Sequence, residues 1–335
     1  MNIIIPMAGM GKRMRPHTLT TAKPLLPVAG KPIVQRLVED IVATSNEKVE
    51  EIAFVISPAF GREVEDHLCS VAETLGAKGK ICYQETPLGT AHAILCAADT
   101  LSGNVFIAFA DTLFKATFSI DTHKDAIVWT QKVEDPTAFG VVKMNAAGEI
   151  EAFVEKPKEF VSNLAIIGVY YFRDGERLKK ELQRLIDNDI KLKGEYQLTD
   201  AMEHMLRNDV KFYTGQVEEW LDCGNKDATV YTNGRILDIK QNKEQLIDPS
   251  AVITNSVIIP PCYIGKGAMV TNSVIGPFVS LEKGVSVEDS RISNSIIQSD
   301  SVVKNACIDN SMFGKSVTYI EKADELSIGD FSTHI

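Results

Sequence analysis

The chain has 335 residues, 44% of them apolar and 24% charged, with 35 Lys+Arg against 45 Asp+Glu and a formal net charge of −10. At roughly 150 residues per domain this length predicts two domains with sizeable cores, and the balance of apolar to charged residues excludes a disordered or collagen-like chain. The acid excess speaks against non-specific nucleic-acid binding, which needs a basic surface, and the longest apolar run, Leu164–Phe172, is half of the roughly 18 residues that a membrane-spanning helix requires.

The first predicted element is a strand, Asn2–Pro6. It lacks the basic region and length of a signal peptide, so the expected location is the cytoplasm. Directly after it the charge balance inverts: residues 1–36 contain Lys12, Arg13, Arg15, Lys23, Lys31 and Arg36, and the first carboxylate is Glu39. Gly9 and Gly11 follow the strand, and Pro16, Pro24, Pro27, Gly30 and Pro32 make the segment too rigid for an ordinary helix. Glycine-rich turns expose backbone N–H groups to phosphate oxygens, and Lys and Arg add charge-assisted bonds. The segment is a phosphate-binding loop in its chemistry. It is neither common type: the G-x-G-x-x-G pattern fails at Met14, and a Walker A motif fails because Gly11-Lys12 is followed by Arg13.

Pro32 suits a first helical turn, after which Val34, Leu37, Val38, Ile41 and Val42 share one helical face. A strand over 52–57, a helix carrying Val64, Leu68, Val71 and Leu75, a strand over 80–83, a helix starting near Thr90 and a strand over 105–110 follow in turn. Strand and helix in alternation predict a Rossmann-like α/β fold with a mostly parallel sheet covered on both faces. Ligands in such sheets bind beyond the carboxyl ends of the strands, where the 9–23 loop and the segment after Ala110 would lie.

Between these elements, Gln84-Glu85-Thr86-Pro87-Leu88-Gly89-Thr90-Ala91 reads as a turn into a helix with Thr90 near its N-terminus. Gln84 offers both a donor and an acceptor, and Gly89 permits close backbone approach. Asp111 follows an apolar strand, so its carboxylate should emerge at the ligand edge, and Asp222 sits in Trp220-Leu221-Asp222-Cys223-Gly224 before a glycine turn. Brought together, these two carboxylates would make a hard oxygen site for Mg²⁺. The six cysteines, Cys69, Cys82, Cys96, Cys223, Cys262 and Cys307, form no C-x-x-C pair, which argues against zinc, a redox dithiol or a disulfide framework.

After a helical end or linker over 235–245, apolar residues recur at Ile247, Ile253, Ile258, Ile264, Val270, Ile275, Leu281, Val287, Ile292, Ile297, Val303, Ile308 and Phe313, in steps of six or five. The pairs Asn255-Ser256, Asn272-Ser273 and Asp289-Ser290 repeat every seventeen residues. Such hexapeptide repeats predict a left-handed parallel β-helix. The expected domains are therefore 1–240 and 246–330. None of His17, His67, His92, His123, His204 and His334 lies within the repeats, so assembly or regulation is a better expectation for the β-helix than an acyltransferase activity with a histidine base.

Two blocks, Met7-Ala8-Gly9-Met10-Gly11-Lys12-Arg13-Met14-Arg15-Pro16 and Ala22-Lys23-Pro24-Leu25-Leu26-Pro27-Val28-Ala29-Gly30-Lys31-Pro32, closely resemble the signature of the sugar-1-phosphate nucleotidyltransferases, or nucleotide-sugar pyrophosphorylases. The resemblance extends over nearly the whole chain. It implies that Ala8, Gly9, Gly11 and Arg13 bind the nucleotide phosphates and that Gln84, Pro87, Gly89 and Thr90 form the base-binding loop. Arg13, Lys23 and Asp111 would be catalytic, and Asp111 and Asp222 would hold Mg²⁺. The sugar phosphate would meet Gly140, Glu155, Lys156, Gly168 and Tyr170; Gly194-Glu195 and Thr199-Asp200 match a further family segment. Four departures bear on base and sugar identity: Thr112 stands where Asn is typical, Ala110 for Gly, Lys12 for Thr or Ser, and Lys193 for Arg.

The implied reaction joins a nucleoside triphosphate to a sugar 1-phosphate, dTTP or UTP with glucose 1-phosphate being preferred and GTP with mannose 1-phosphate the alternative. A non-catalytic sugar-nucleotide sensor or assembly subunit is the competing reading from another class. No nucleic-acid or membrane partner is expected, and the flat faces of a β-helix lead us to expect a homo-oligomer.

Overall fold

The computed structural model describes residues 1–116, 120–322, 325 and 327. The end of the predicted second domain, 328–330, and His334 lie outside the described residues. Chain contacts separate one compact unit, Met1–Leu26 with Lys31–Asn225, from a second, Pro27–Gly30 with Lys226–Ile335.

In the first unit β1 (Asn2–Pro6) supplies Ile3, Ile4 and Ile5, all fully buried. An uninterrupted apolar run of this kind is what a central strand covered on both faces requires. Helix α1 (Ile33–Thr44) buries Ile33, Val34, Leu37, Val38 and Ile41 at three- and four-residue spacing and ends where Ser45 turns extended. Strand β2 (Glu51–Ile56), helix α2 (Arg62–Thr74), strand β3 (Lys78–Tyr83), helix α3 (Thr90–Leu95) and strand β4 (Val105–Ala108) continue the alternation. In α2, Glu63 and Glu65 sit in the first turn, where negative charge suits the helix dipole.

These four strands are parallel neighbours in the order β3-β2-β1-β4. The chain moves to one side of β1 and then returns to its other side. At such a switch point a crevice opens beyond the strand ends; here it lies after Pro6 and after Ala108.

The sheet departs from all-parallel beyond β4. Strands β5 (Thr112–Lys115), β6 (Ala126–Lys132), β7 (Gly140–Met144), β8 (Ile150–Glu155) and β9 (Leu164–Phe172) come with no intervening helix among the described residues. Parallel neighbours need a crossover of a dozen or more residues. Accordingly β9 runs antiparallel to β4, β6 and β7, and β8 antiparallel to β7. Helices α4 (Gly175–Asp187) and α5 (Leu198–Arg207) bury Leu178, Leu182, Leu185, Leu198, Ala201 and Met202 in the same apolar core. Strand β10 (Phe212–Gln216) pairs in parallel with β6, and β11 (Glu219–Asp222) pairs with β5 in a separate two-stranded sheet that sets Asp222 opposite Thr112.

The second unit opens with α6 (Lys226–Lys240), whose buried face is half polar: Thr229, Thr232 and Asn233 are fully enclosed beside Val230, Ile236 and Leu237. The Asn233 side-chain oxygen accepts from Ala29 N at 2.9 Å and from Ser280 Oγ at 2.7 Å. Short strands then stack in parallel into three ladders, one running Val252–Thr254, Met269–Thr271, Ser286–Glu288, Val302–Lys304 and Thr318–Ile320. Of the periodic apolar residues, Ile264, Val270, Ile275, Leu281, Val287, Ile292, Ile297 and Val303 are at most 1% exposed, whereas Ile247 and Ile253, before and in the first strand of the stack, are 40% and 38% exposed. This is the parallel β-helix.

The Asn-Ser repeat has a physical cause. Asn255, Asn272 and Asp289 take positive φ at a coil corner, a conformation that Asn and Asp tolerate. Each following serine reaches the next coil: Ser256 Oγ accepts from Ser273 N and Ser273 Oγ from Ser290 N, both at 3.0 Å, and Ser290 Oγ accepts from Ala306 N at 3.1 Å. Among the described residues, no helix of either unit is long and apolar enough to cross a membrane.

Candidate active site

The crevice after β1 and β4 holds a cavity of about 400 Å³. The first loop contributes Ala8, Gly9, Gly11, Lys12 and Arg13 to its lining. Gly11 adopts φ 72° and ψ 56°, and a Cβ there would lie 2.6 Å from Lys23 Cβ, so only glycine lets the lysine pack against the loop. Thr18 Oγ1 donates to Gly11 O at 2.8 Å and holds the turn from below. Nothing lies within 4 Å of the Cβ that Gly9 lacks, which leaves this backbone open to a ligand.

Lys23 is 8% exposed and reaches Asp111 Oδ2 at 2.7 Å. Asp111 follows β4, as its place after an apolar strand predicted. Its main-chain oxygen accepts from Cys223 N at 3.0 Å, and this bond together with the β5–β11 register brings Asp222 alongside. Half-buried Asp222 has its carboxyl raised above the usual range by burial; the Asp111 charge adds to this, while the Gly224 N–H, Lys23 and Arg13 act against it. Asp111 lines the cation-lined cavity and Asp222 does not but neighbours it; two such carboxylates, one of them desolvated, are a donor set suited to a hard divalent cation. Among the described residues no group of three or more His, Cys, Asp or Glu is placed to hold a metal, so other oxygen donors would have to complete such a shell.

Gln84, Pro87, Gly89 and Thr90 line the cavity on another side. Gly89 takes φ 113°, and its missing Cβ would stand 2.4 Å from Tyr196 O. Tyr196 N in turn donates to Leu88 O at 2.8 Å, and Ala91 N to Tyr196 O at 3.0 Å. The Thr90 hydroxyl is already engaged: it accepts from Leu198 N at 2.9 Å at the start of α5 and donates to Gln197 Oε1 at 3.3 Å. Any ligand contact of Thr90 is therefore left mainly to its backbone.

Gly140, Glu155, Lys156, Gly168 and Tyr170 do not line this cavity but gather beside it. Glu155 pairs with Gly140 in the β7–β8 ladder, and its Oε2 lies 2.9 Å from where a Cβ on Gly140 would be. Lys156 Nζ stands 3.6 Å from Glu155 Oε1. Gly168 has φ 80° within an irregular stretch of β9, and Tyr170 packs edge-on against Phe109, a cavity residue, at 6.2 Å. Burial, then the Glu155 and Asp111 charges, raise the Tyr170 hydroxyl far above its ordinary range, so this one ring senses both carboxylates.

Several lining residues escape the sequence reading. Lys12 counts among the cations of the basic segment but is given no role; Phe109, Ala93 and Gly224 carry no chemical signal, and Glu195 appears only within a matched segment. Conversely, Lys31 is bound to Glu39 at 2.8 Å and Arg36 is 1% exposed within α1, so neither belongs to the cavity lining despite the shared positive charge.

Residues 2–238 match the model of the nucleotidyl transferase family. The chain belongs to this family. The transferase is 28% identical to a glucose-1-phosphate thymidylyltransferase of Streptomyces antibioticus over 99% of this chain and 98% of that protein. It is 31% identical to the bifunctional protein GlmU of Methanococcus maripaludis over 77% of this chain, spanning 60% of that longer protein. Its fold resembles a solved UDP-glucose pyrophosphorylase complexed with UDP-glucose, with TM-score 0.57, 24% identity, and coverage of 71% of this chain and 98% of that one.

Proposed function

We propose that this transferase moves a nucleotidyl group from a nucleoside triphosphate to a sugar 1-phosphate, releasing pyrophosphate. The observation that carries the reading is the single cavity shared by the Gly9–Gly11 loop, Arg13, Lys23, the Gln84–Thr90 turn and Asp111. Residues 1–240, which include the family match, would perform the reaction, and residues 246–330 would serve assembly or regulation.

The sugar phosphate oxygen attacks the α-phosphorus in line and the bond to pyrophosphate breaks, with no covalent enzyme intermediate. The protein's part is then alignment and neutralisation of charge. Exposed Gly9 and the left-handed Gly11 turn offer backbone N–H groups to the phosphates, and Arg13 and Lys23 balance their charge. Lys156 receives the attacking phosphate, while Glu155 accepts from sugar hydroxyls. Asp111 and Asp222 would hold Mg²⁺, which when bound supplies charge stabilisation on the nucleotide phosphates.

The substrates we propose are UTP or dTTP with glucose 1-phosphate. Supplying the four nucleotides with glucose, mannose, galactose and N-acetylglucosamine 1-phosphates, with Mg²⁺, tests this by pyrophosphate release. Turnover restricted to GTP with mannose 1-phosphate would replace the substrate pair, and binding without turnover across the panel would replace the enzyme by a sensor.

A further inference from the structure

Gln84 is 8% exposed at the end of β3 and lines the cavity, with His92 eight residues further on in α3. Its Nε2 donates to Gly89 O at 3.3 Å and meets His92 Nδ1 at 3.0 Å. A carbonyl oxygen only accepts, so the Gly89 contact determines which end of the amide is the nitrogen. The second hydrogen of that nitrogen then goes to His92, whose Nδ1 must offer a lone pair and whose proton must sit on Nε2. Burial of His92 pushes its pKa below the usual imidazole range and so favours the neutral ring that this bond needs. With both amide hydrogens engaged, the group Gln84 retains for a ligand is the Oε1 acceptor.

We propose that His92 is a positioning residue that holds the Gln84 amide in this orientation, so that the transferase selects a base whose pairing edge donates a ring N–H over one whose ring nitrogen accepts. Uracil, thymine and guanine belong to the first class; cytosine and adenine belong to the second. Cytosine would place its N3 lone pair against Oε1, and turning the amide to suit it would break the bond to Gly89 and force His92 into its other tautomer. The inference rests on the nucleotidyl-transfer reading for its substrates, but it concerns binding selectivity, which can be measured without turnover.

The test compares UTP with CTP, by calorimetric binding and by kcat/KM for pyrophosphate release, in the parent, His92→Leu and His92→Asn. The parent should prefer UTP. His92→Leu, which removes the acceptor, should lower the UTP:CTP ratio about tenfold, the scale of one lost hydrogen bond, mainly through KM. His92→Asn, whose amide oxygen can accept, should keep most of the preference. An unchanged ratio in a folded His92→Leu protein would overturn the proposal. So would a ¹⁵N spectrum of the parent enzyme showing the His92 proton on Nδ1, a readout that does not depend on any variant folding. Selective UTP binding without pyrophosphate release would remove the transfer reading and leave the role of His92 standing; release from UTP and CTP with equal efficiency would do the reverse.

Discussion

Lys23 is held at both ends and buried: its stem packs on Gly11, its ammonium reaches Asp111, and little of it meets solvent. A buried cation fixed this firmly needs no reorganisation when phosphate charge develops, which is where electrostatic catalysis gains most. Lys23→Ala should lower kcat at least ~100-fold, by comparison with deletion of a single transition-state contact. Steady-state pyrophosphate assays check this, and an effect confined to KM would contradict it. Asp222 makes the opposite kind of contribution. Because its native carboxyl titrates above the unfolded value of about 4, the native state binds more protons across the window between that value and the raised one, so this group's contribution to stability is greatest below the window and falls as pH rises through it. Asp222→Asn should therefore melt at or above the parent temperature at pH 8, with the difference shrinking toward pH 4, while losing pyrophosphate release. A melting temperature several degrees lower at every pH would refute this account. At this scale the motifs were readable wherever chemistry and spacing coincide, as in Gly9, Gly11, Lys23 and Asp111. They were not readable where the partner is distant in sequence: nothing in the composition distinguishes Arg36, buried in a helix, from Arg13 at the cavity, or ties His92 to Gln84.

The elements divide in the same way. Strands with unbroken apolar runs and helices with a clear apolar face lie where their periodicity placed them, because burial sets both patterns. Two elements resisted. The β6–β9 region supplies strands without crossover helices, and its antiparallel pairing is decided by connection length rather than by the strands themselves. Helix α6 hides its start because Thr229, Thr232 and Asn233 share its buried face with Val230, Ile236 and Leu237, and their polar groups find partners only in the folded unit. The β-helix was the most legible element, since one corner repeats its chemistry coil after coil. Ser273 lies in the middle of that ladder, donating to Thr271 O at 2.7 Å and accepting from Ser290 N at 3.0 Å. Ser273→Ala leaves the Ser290 N–H unsatisfied, while Thr271 O keeps its bond from Asp289 N at 3.1 Å, and should cost about 1–3 kcal/mol. Denaturant unfolding measures it, and a loss below a few tenths of a kcal/mol would mean that the serine ladder follows the coil instead of supporting it.

For the molecule as a whole, the excess of ten carboxylates says less than their placement. Acidic residues are missing from the first 36 positions, and the basic residues left there split into Lys12, Arg13 and Lys23 at the cavity and Arg15, Lys31 and Arg36 elsewhere. A protein repelling anions overall thus concentrates cations at the cavity where, on the proposed function, a triphosphate would lie, and Asp111 and Asp222 are the residues proposed to hold its metal. The central claim is that this cavity performs nucleotidyl transfer. Its most direct test is pyrophosphate release by the purified full chain given Mg²⁺, UTP or dTTP and glucose 1-phosphate, with the same protein carrying Asp111→Asn alongside. The parent should give stoichiometric pyrophosphate and nucleotide-sugar and the folded variant neither; equal turnover by the two proteins would exclude nucleotidyl transfer at this cavity.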